Sequence, residues 1–221
     1  MKFNQIPINT FETMQLNAGI FVKNFDPATG EFKKEDIMGA TSGGANFSAV
    51  PTFSDRGEGI DNCPKNTMEL MNLDNWEIKM SGTYKTLSKS NIIQGLGSAD
   101  IDPDDETHII PRRTLKQEDF YDMWWVGDYA GNGFMAIHMY NLLNTNGFSF
   151  QSTDNSTGSF PFEYTCHFSQ KDVDKLPFDI YVSEGTTTPP DESGSETEQQ
   201  SNAEAATFKA TRSKLNTTTE E

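Results

Sequence analysis

Apolar and polar residues alternate without a break through SFPFEYTCHFS, the stretch from Ser159 to Ser169. Successive side chains of an extended chain point to opposite sides, so the two residue classes separate onto two faces. One face carries Phe160, Phe162, Tyr164, Cys166 and Phe168. The other carries Pro161, Glu163, Thr165 and His167. Such alternation is typical of a half-buried β-strand, so the chain must build a sheet with one covered face.

The same period of two recurs in three other stretches, NWEIKMSGTYKTL, QLNAGIFVKNFD and ANFSAVPTF. The apolar positions in step are Trp76, Ile78 and Met80 in the first, Leu16, Ala18, Ile20 and Val22 in the second, and Phe47, Ala49 and Phe53 in the third. Each stretch therefore predicts a further strand.

Two stretches, DMWWVGDYA and GFMAIHMYNLL, are apolar on both faces. Gly131-Asn132-Gly133 joins them and suits a hairpin turn. A second break at Thr145-Asn146-Gly147 leads toward the Phe160 strand. This order of strands and turns predicts a β-meander.

Two short helices are also predicted. Ser88 can cap KSNIIQGL, which ends at Gly97, a natural left-handed stop. The apolar side of that helix carries Ile92, Ile93 and Leu96. Thr114 and Gln117 resemble a capping box that opens a second helix over LKQEDFYDM.

An aromatic-rich composition favours strands over helices, because the chain holds 16 Phe, 6 Tyr and 3 Trp. We predict a mainly β fold, a β-sandwich or partly closed barrel with one or two short flanking helices and a long inter-strand loop. The folded body spans residues 1–183. Residues 184–221 are rich in Thr, Ser and Glu with Phe208 as the single aromatic, which predicts a disordered tail.

The long loop covers about residues 39–68, GATSGGANFSAVPTFSDRGEGIDNCPKNTM. Its first half divides into a glycine hinge and the ANFSAVPTF strand, and its last fifteen residues or so show no period. Unstructured loops longer than about fifteen residues are usually functional or disordered. The 39–68 segment is therefore a candidate functional element.

A net charge of −16 argues against nucleic-acid binding by counterion release, which needs a surplus of Lys and Arg. No apolar run has the length of a membrane span or a signal-peptide core, so we expect the protein to be made and kept in a cytoplasm. Cys63 and Cys166 have no CxxC spacing and are expected to be free thiols.

Residues with metal-binding or catalytic chemistry do not form a recognisable constellation. Asp100, Asp102 and Asp104 match positions one, three and five of a calcium loop, but Asp105 and Pro111 stand where that loop needs glycine and glutamate. The acidic run thus predicts a solvated helix-to-strand turn. His108, His138 and His167 lack a paired-ligand spacing, although the last two can approach if their strands pair. We predict no enzyme activity, no metal and no cofactor.

Several segments, taken in order, resemble one protein family. They are DIMGATSGGANFSAVPTFSDRGEGIDNCPKNT, a Trp-bearing strand, SNIIQGLGSADI, EDFYDMWWVGDY, GFMAIHMYNLL and GSFPFEYTCHFS. Between about Leu16 and Val182 the chain looks like the major tail protein, or tail tube protein, of long-tailed phages of Gram-positive hosts.

This resemblance implies a sandwich-like protomer that assembles into hexameric rings, which stack into a hollow tail tube. The tube would enclose a tape-measure protein, meet tail terminator and distal tail proteins, and conduct DNA without sequence-specific binding. The protein would be a virion tail component, assembled in the host cytoplasm and without a membrane partner. Many relatives add an immunoglobulin-like domain, where this chain has only its polar tail.

The resemblance also points to two groups of residues. In the family a long loop reaches the neighbouring ring, and the candidates for those contacts are Arg56, Glu58, Ile60, Asp61, Asn62, Pro64 and Lys65. An inner sheet lines the lumen, and the candidate lumen acids are Glu77, Asp128 and Glu163. The alternative for each of these acids is an ordinary outward-facing position.

Two other classes of function stay open. One is a β-sandwich binding module, such as a carbohydrate or host-surface adhesin, although the period-2 aromatics of the Phe160 strand suit a core better than a ligand platform. The other is a hydrolase that uses scattered Asp and Glu residues.

Overall fold

The computed structural model describes residues 6–7, 10, 14–152 and 154–184. Within them lie the strands and helix β1 (Gln15–Val22), β2 (Thr41–Asp55), β3 (Met71–Tyr84), α1 (Lys89–Leu96), β4 (Ala99–Ile101), β5 (Ile109–Pro111), β6 (Tyr121–Tyr129), β7 (Phe134–Asn144), β8 (Phe160–Cys166) and β9 (Phe178–Ser183). Single 3-10 turns occupy Lys34–Asp36, Met68–Leu70 and Gln117–Asp119. The predicted tail lies outside the described residues after Glu184.

One antiparallel sheet of seven strands dominates the fold. Its order is β1-β6-β7-β8-β3-β2, and β9 pairs with residues 134–139 of β7, next to the part of β7 that pairs with β8. The sheet curls into a half barrel, while β4 and β5 form a separate hairpin. The mainly β prediction is confirmed, as is the β6-β7-β8 meander.

The main core packs on one face of this sheet and consists mostly of aromatic and sulfur-containing residues. Its members are Phe21, Met38, Ile78, Met80, Tyr84, Met123, Trp125, Ile137, Met139, Leu142, Phe162, Tyr164 and Cys166. The alternation predicted for β8 is confirmed as far as Cys166. It is wrong for Phe168, which follows the end of the strand and is exposed, because the chain turns away toward Ser169.

A second, smaller core covers the opposite face of β6 and β7. Trp124, Val126 and Ala136 pack there with Val22 and Phe25. The residues between β1 and β2 supply Phe25, whose ring lies 5.4 Å from that of Trp124. This packing explains why β6 and β7 are apolar on both faces.

One of the two predicted helices is present. In α1 the Ser88 hydroxyl accepts a hydrogen bond from the Asn91 backbone N–H, and Gly97 ends the helix with a φ of 73°. The predicted core residues Ile92, Ile93 and Leu96 are only half-buried. The fully buried positions are Asn91 and Gly95. The Asn91 side-chain amide donates a hydrogen bond to the Met38 carbonyl, and the Asn144 amide donates one to the Gly95 carbonyl.

The helix predicted over LKQEDFYDM is wrong. Only Gln117–Asp119 form one 3-10 turn, in which the Asp119 carboxylate accepts a 2.7 Å hydrogen bond from the Lys116 N–H. Arg112 also binds this carboxylate. The chain then becomes β6, because Trp124 and Trp125 each need a core on a different face of an extended strand.

The predicted long loop is shorter than expected. Residues 41–55 form β2, which pairs along its length with β3, so the loop shrinks to residues 56–70. The predicted glycine hinge is a bulge inside the strand, where Gly43 and Gly44 have φ near 80° (82° and 81°) and the register shifts between Thr41 and Ala45. Backbone pairing requires no side-chain period, so the sequence pattern missed part of this strand.

The acidic run after α1 forms the β4-β5 hairpin instead of a simple turn into a strand. Asp102 Oδ2 lies 3.0 Å from His108 Nδ1, and Arg112 and Lys116 pair with Asp100. No cluster of His, Cys, Asp or Glu suited to a metal occurs in the part of the chain that the structure describes.

The remaining histidines and both cysteines have separate local environments. His138 stacks on Trp124 at 3.9 Å between ring centroids, whereas His167 meets the edge of Phe120. Both cysteines are free thiols, as predicted. Burial raises the pKa of the Cys166 thiol to about 12, which disfavours the thiolate, the reactive form of cysteine.

Candidate assembly surfaces

The far half of the β2-β3 hairpin extends beyond the rest of the sheet. β3 pairs with β8 only through residues 79–84, so in the described structure residues 50–55 and 71–77 pair only with each other. We call these residues and the loop 56–70 the arm. On both outer edges of the arm, backbone N–H and C=O groups therefore have no partner strand among the residues that the structure describes.

One face of the arm is apolar and continues the core side of the sheet. Phe53 pairs across the strands with Leu73, and Pro51 pairs with Trp76. The Phe53 side chain is 57% exposed, and Leu73 and Met71 are also exposed. The predicted alternation of Phe47, Ala49 and Phe53 is thus correct, but only the first two residues pack against the core.

The other face of the arm is polar and internally hydrogen-bonded. Asp74 Oδ1 accepts from the Ser54 hydroxyl at 2.9 Å and from the Asn72 amide at 2.6 Å. These two hydrogen bonds lower the pKa of Asp74, with the Asn72 bond the larger cause. The arm is therefore an amphipathic ribbon.

The loop at the end of the arm has a compact hydrogen-bonded structure. The Asp55 carboxylate accepts from the Gly57 N–H at 2.8 Å and from the Asn66 N–H at 2.9 Å, which closes the loop at its base. The two hydrogen bonds lower the pKa of Asp55, with Asn66 the larger cause. Gly57 is buried, and a Cβ there would lie 2.9 Å from both the Cys63 sulfur and a Leu70 methyl group.

All seven predicted contact residues lie exposed in this loop: Arg56, Glu58, Ile60, Asp61, Asn62, Pro64 and Lys65. Arg56 is partly engaged, because its guanidinium donates to Asn72 Oδ1 at 2.7 Å. Four other apolar residues of the arm are exposed but were not among the predicted contact residues. They are Val50, Met71 and Leu73 in the strands and Met68, which is 80% exposed. The period of two, continued toward the N-terminus from Trp76, would reach Asp74. The bulge at Asp74 shifts the period by one residue, so the next position on the apolar face is Leu73.

The three candidate lumen acids share one face of the sheet, opposite the main core. Glu77 and Glu163 lie on neighbouring strands near Lys79, whose ammonium is 2.5 Å from Glu77 Oε1. Hydrogen bonding to Glu77 raises the pKa of Lys79. Asp128 lies near the far end of β6, opposite Leu16 and Phe134, so it does not cluster with the other two acids.

Two further edges of the sheet lack a partner strand in the described residues. β9 pairs with β7 on one side only and exposes Ile180 and Val182. One edge of β1 pairs with β6. Along its other edge, only Phe21–Lys23 form backbone contacts, and these are with Asp36–Met38. Open edges of this kind favour strand addition from another chain.

No protein-family model and no curated protein matches this chain in sequence. Among the described residues, no helix has the length and apolar character required to cross a bilayer.

Proposed function

We propose that this protein is a structural virion protein, a tail tube subunit whose function is to polymerise into a hollow conduit. The observation that carries the proposal is the arm, whose apolar face is exposed beyond Trp76 and whose two outer edges have no partner strand among the described residues. An isolated two-stranded ribbon is marginally stable in water, and contiguous exposed apolar surface usually marks an interaction site. A second copy of the chain can supply both the missing strands and the missing cover.

Stacked rings need two different complementary surfaces on each subunit, because their contacts are heterologous and open-ended. The arm is one candidate for contacts between rings. The open edges of β1 and β9 are candidates for contacts within a ring, since they lie on opposite sides of the β1-β6-β7-β9 part of the sheet. Under this proposal the rings are hexameric, as the sequence resemblance implies.

The charge of the chain suits a conduit for DNA. A net charge of −16 repels phosphates, so DNA can slide through an acidic lumen without being retained. We assign Glu77, Asp128 and Glu163 to the lumen, with the tape-measure protein as the earlier occupant of the tube. Tail terminator and distal tail proteins would close its two ends. The proposed role includes no catalysis and no cofactor, and its location is the virion tail.

Electron microscopy of the purified protein tests this function, with and without a tape-measure partner and assembly chaperones. We expect rings or tubes with a central channel. Dispersed monomers under every condition would contradict the proposal. Monomers that also give a reproducible glycan-array signal would favour the adhesin alternative.

A further inference from the structure

A small uncharged pocket lies where the chain leaves β8. Its volume is about 310 Å³. Three rings line it, those of Phe120, His167 and Phe168, and Ser169 adds a hydroxyl. The rest of the lining consists of three amide side chains, Gln117, Asn141 and Gln170. None of the described residues that line this pocket is Asp, Glu, Lys or Arg, although the chain holds 33 acidic and 17 basic residues.

Two acidic depressions flank the pocket and share residues with it. One contains Phe168 beside Asp74 and Asp174, and the other contains Asn141 beside two aspartates and a lysine. These aspartates repel an anionic ligand, and a cationic ligand would bind to them and not to the uncharged lining between them. The pocket therefore suits a neutral ligand.

A β-bulge in β7 positions Asn141 at this pocket. The register shift between Tyr121 and Met123 leaves one extra residue in β7 opposite β6. Asn141 has a φ of 50°, in the left-handed region, and its backbone N–H donates to Asp122 Oδ1 at 3.0 Å. Bulges are frequent beside functional sites, where they re-aim a side chain, and sparsely populated backbone dihedrals also cluster there. The bulge therefore points to a role for Asn141 beyond strand pairing.

Hydrogen bonds between Asn141 and His167 fix one side of the pocket. The Asn141 side-chain amide donates to the His167 carbonyl at 3.1 Å, and the His167 backbone N–H donates to the Asn141 carbonyl at 3.2 Å. His167 Nδ1 lies 3.3 Å from the same carbonyl, which can only accept, so Nδ1 carries the proton and Nε2 is left as an acceptor. The His167 ring also packs against Phe120, with 5.2 Å between the ring centroids. A preorganised site of this kind reduces the entropy lost on binding.

The exposed groups of the pocket match the chemistry of a neutral sugar. The Phe168 side chain is 44% exposed, and Gln117 and Gln170 are exposed as well. A pyranose has a face of C–H groups, which packs on an aromatic ring, and hydroxyls that both donate and accept hydrogen bonds. Amide side chains also both donate and accept. Ligand pockets begin at about 300 Å³, so the size of this pocket suits one sugar ring.

We propose that this pocket binds one ring of a neutral saccharide, with the C–H face on Phe168 and the hydroxyls hydrogen-bonded to the amides of Asn141 and Gln170. Gln117 supplies a further amide, and His167 Nε2 a further acceptor. The inference goes beyond the proposed function and does not rest on it, because the pocket lies within one protomer.

Saturation-transfer difference NMR on the full chain tests the site. The probes are the methyl glycosides of glucose, galactose, mannose and N-acetylglucosamine at millimolar concentration. We expect signal transfer to at least one of them, strongest for the C–H protons of one ring face. Phe168→Ala should weaken binding by about tenfold or more, because its ring supplies the apolar contact. No transfer to any glycoside, or unchanged binding by Phe168→Ala, would overturn the proposal.

Phe150→Ala is the matched control. Phe150 is 57% exposed and stacks on Phe160, at the opposite end of β8 from Phe168. Sugar binding by this variant should equal that of the unmodified protein. An equal loss in both Phe variants would contradict the assignment of the sugar to this pocket.

Two further measurements test the ligand class. Gln170→Ala changes an exposed loop position and should weaken glycoside binding several-fold, whereas unchanged binding would contradict the polar contacts. Adenosine is a second neutral ligand with a flat ring. Transfer to adenosine but to none of the glycosides would show that the saccharide assignment is wrong. Whether the protein forms tubes does not alter these expectations, so failure of the sugar site and failure of the proposed function are distinguishable.

Discussion

The arm and the β6-β7 pair are both antiparallel hairpins rich in apolar residues, but they differ in what covers them. β6 and β7 have neighbouring strands on their outer edges and a core on each face. Apart from Trp76, which packs against the main core, the arm's apolar face is exposed, and its outer edges have no partner strand among the described residues. β6 and β7 are apolar on both faces, whereas the arm alternates apolar and polar residues, so the sequence pattern already distinguishes the two regions. The first region stabilises the protomer, and under the proposed function the second is available to another copy.

Removing the tip of the arm should have the largest effect. Deletion of residues 57–66 takes away the loop but none of the core residues, so we expect a folded protomer that cannot extend tubes. Near-ultraviolet circular dichroism reports the fold, and electron microscopy reports growth. Deletion of residues 104–106, in the exposed turn of the β4-β5 hairpin, is the control and should leave growth unchanged. Normal tubes from the 57–66 deletion would show that the arm has no docking role.

Two leucines test whether the β6-β7 region stabilises the protomer while the arm serves assembly. Leu142 is fully buried in the main core, whereas Leu73 is exposed on the arm. Leu142→Ala should lower the free energy of unfolding by about 2–5 kcal/mol, and Leu73→Ala by less than about 0.5 kcal/mol. Urea denaturation of the unassembled protein measures both. Equal losses would mean that the arm is packed within the protomer.

Phe53 tests the apolar face of the arm alone. Phe53→Ser removes a side chain that we expect to be buried on assembly, at a loss of roughly 1.5–3 kcal/mol for its full burial. The concentration needed for assembly should then rise about tenfold or more. Light scattering against concentration measures it. Thr52→Ala, on the polar face of the same strand, should assemble like the unmodified protein, and a similar defect in both would argue against a face-specific contact.

The smallest effect concerns the loop closure at Asp55. Because hydrogen bonds lower its pKa in the folded state, the ionised carboxylate stabilises the loop above the unfolded pKa, and this contribution is lost as pH falls through the lower folded pKa. Asp55→Asn should therefore weaken amide protection at Gly57 and Asn66 at neutral pH. The difference from the unmodified protein should disappear only when the pH falls through the lowered folded pKa of Asp55, which lies below the ordinary Asp value of about 3.9. Hydrogen exchange at several pH values measures this, and a difference that persists in acid would assign the effect to another cause.

Side-chain periodicity predicted those strands whose two faces differ in burial. The alternation around Ile78, Met80, Phe162 and Tyr164 follows directly from a sheet with one core side. The two stretches that are apolar on both faces, β6 and β7, were predicted as strands by the glycine-rich hairpin turn between them. These signals are local, so a single sequence contains them.

The extent of β2 and the second predicted helix could not be obtained in this way. At the start of β2, Thr41 pairs with Tyr84 of β3 and residues 42–44 form the glycine bulge, and neither feature leaves an apolar period. LKQEDFYDM has a helix-like start, but tertiary burial of Trp124 and Trp125 overrides it. Leu73 and Val173, a hundred residues apart in sequence, line one depression at the base of the arm, and only the fold brings them together.

The central claim is that a second copy covers the arm. Hydrogen–deuterium exchange compared between free subunits and assembled particles tests it most directly. The account predicts that residues 50–55 and 71–76 exchange fast in the free subunit and become strongly protected on assembly, while residues 123–126 and 135–139 are protected in both states. Assembled particles in which the arm exchanges as fast as in the free subunit would contradict the account.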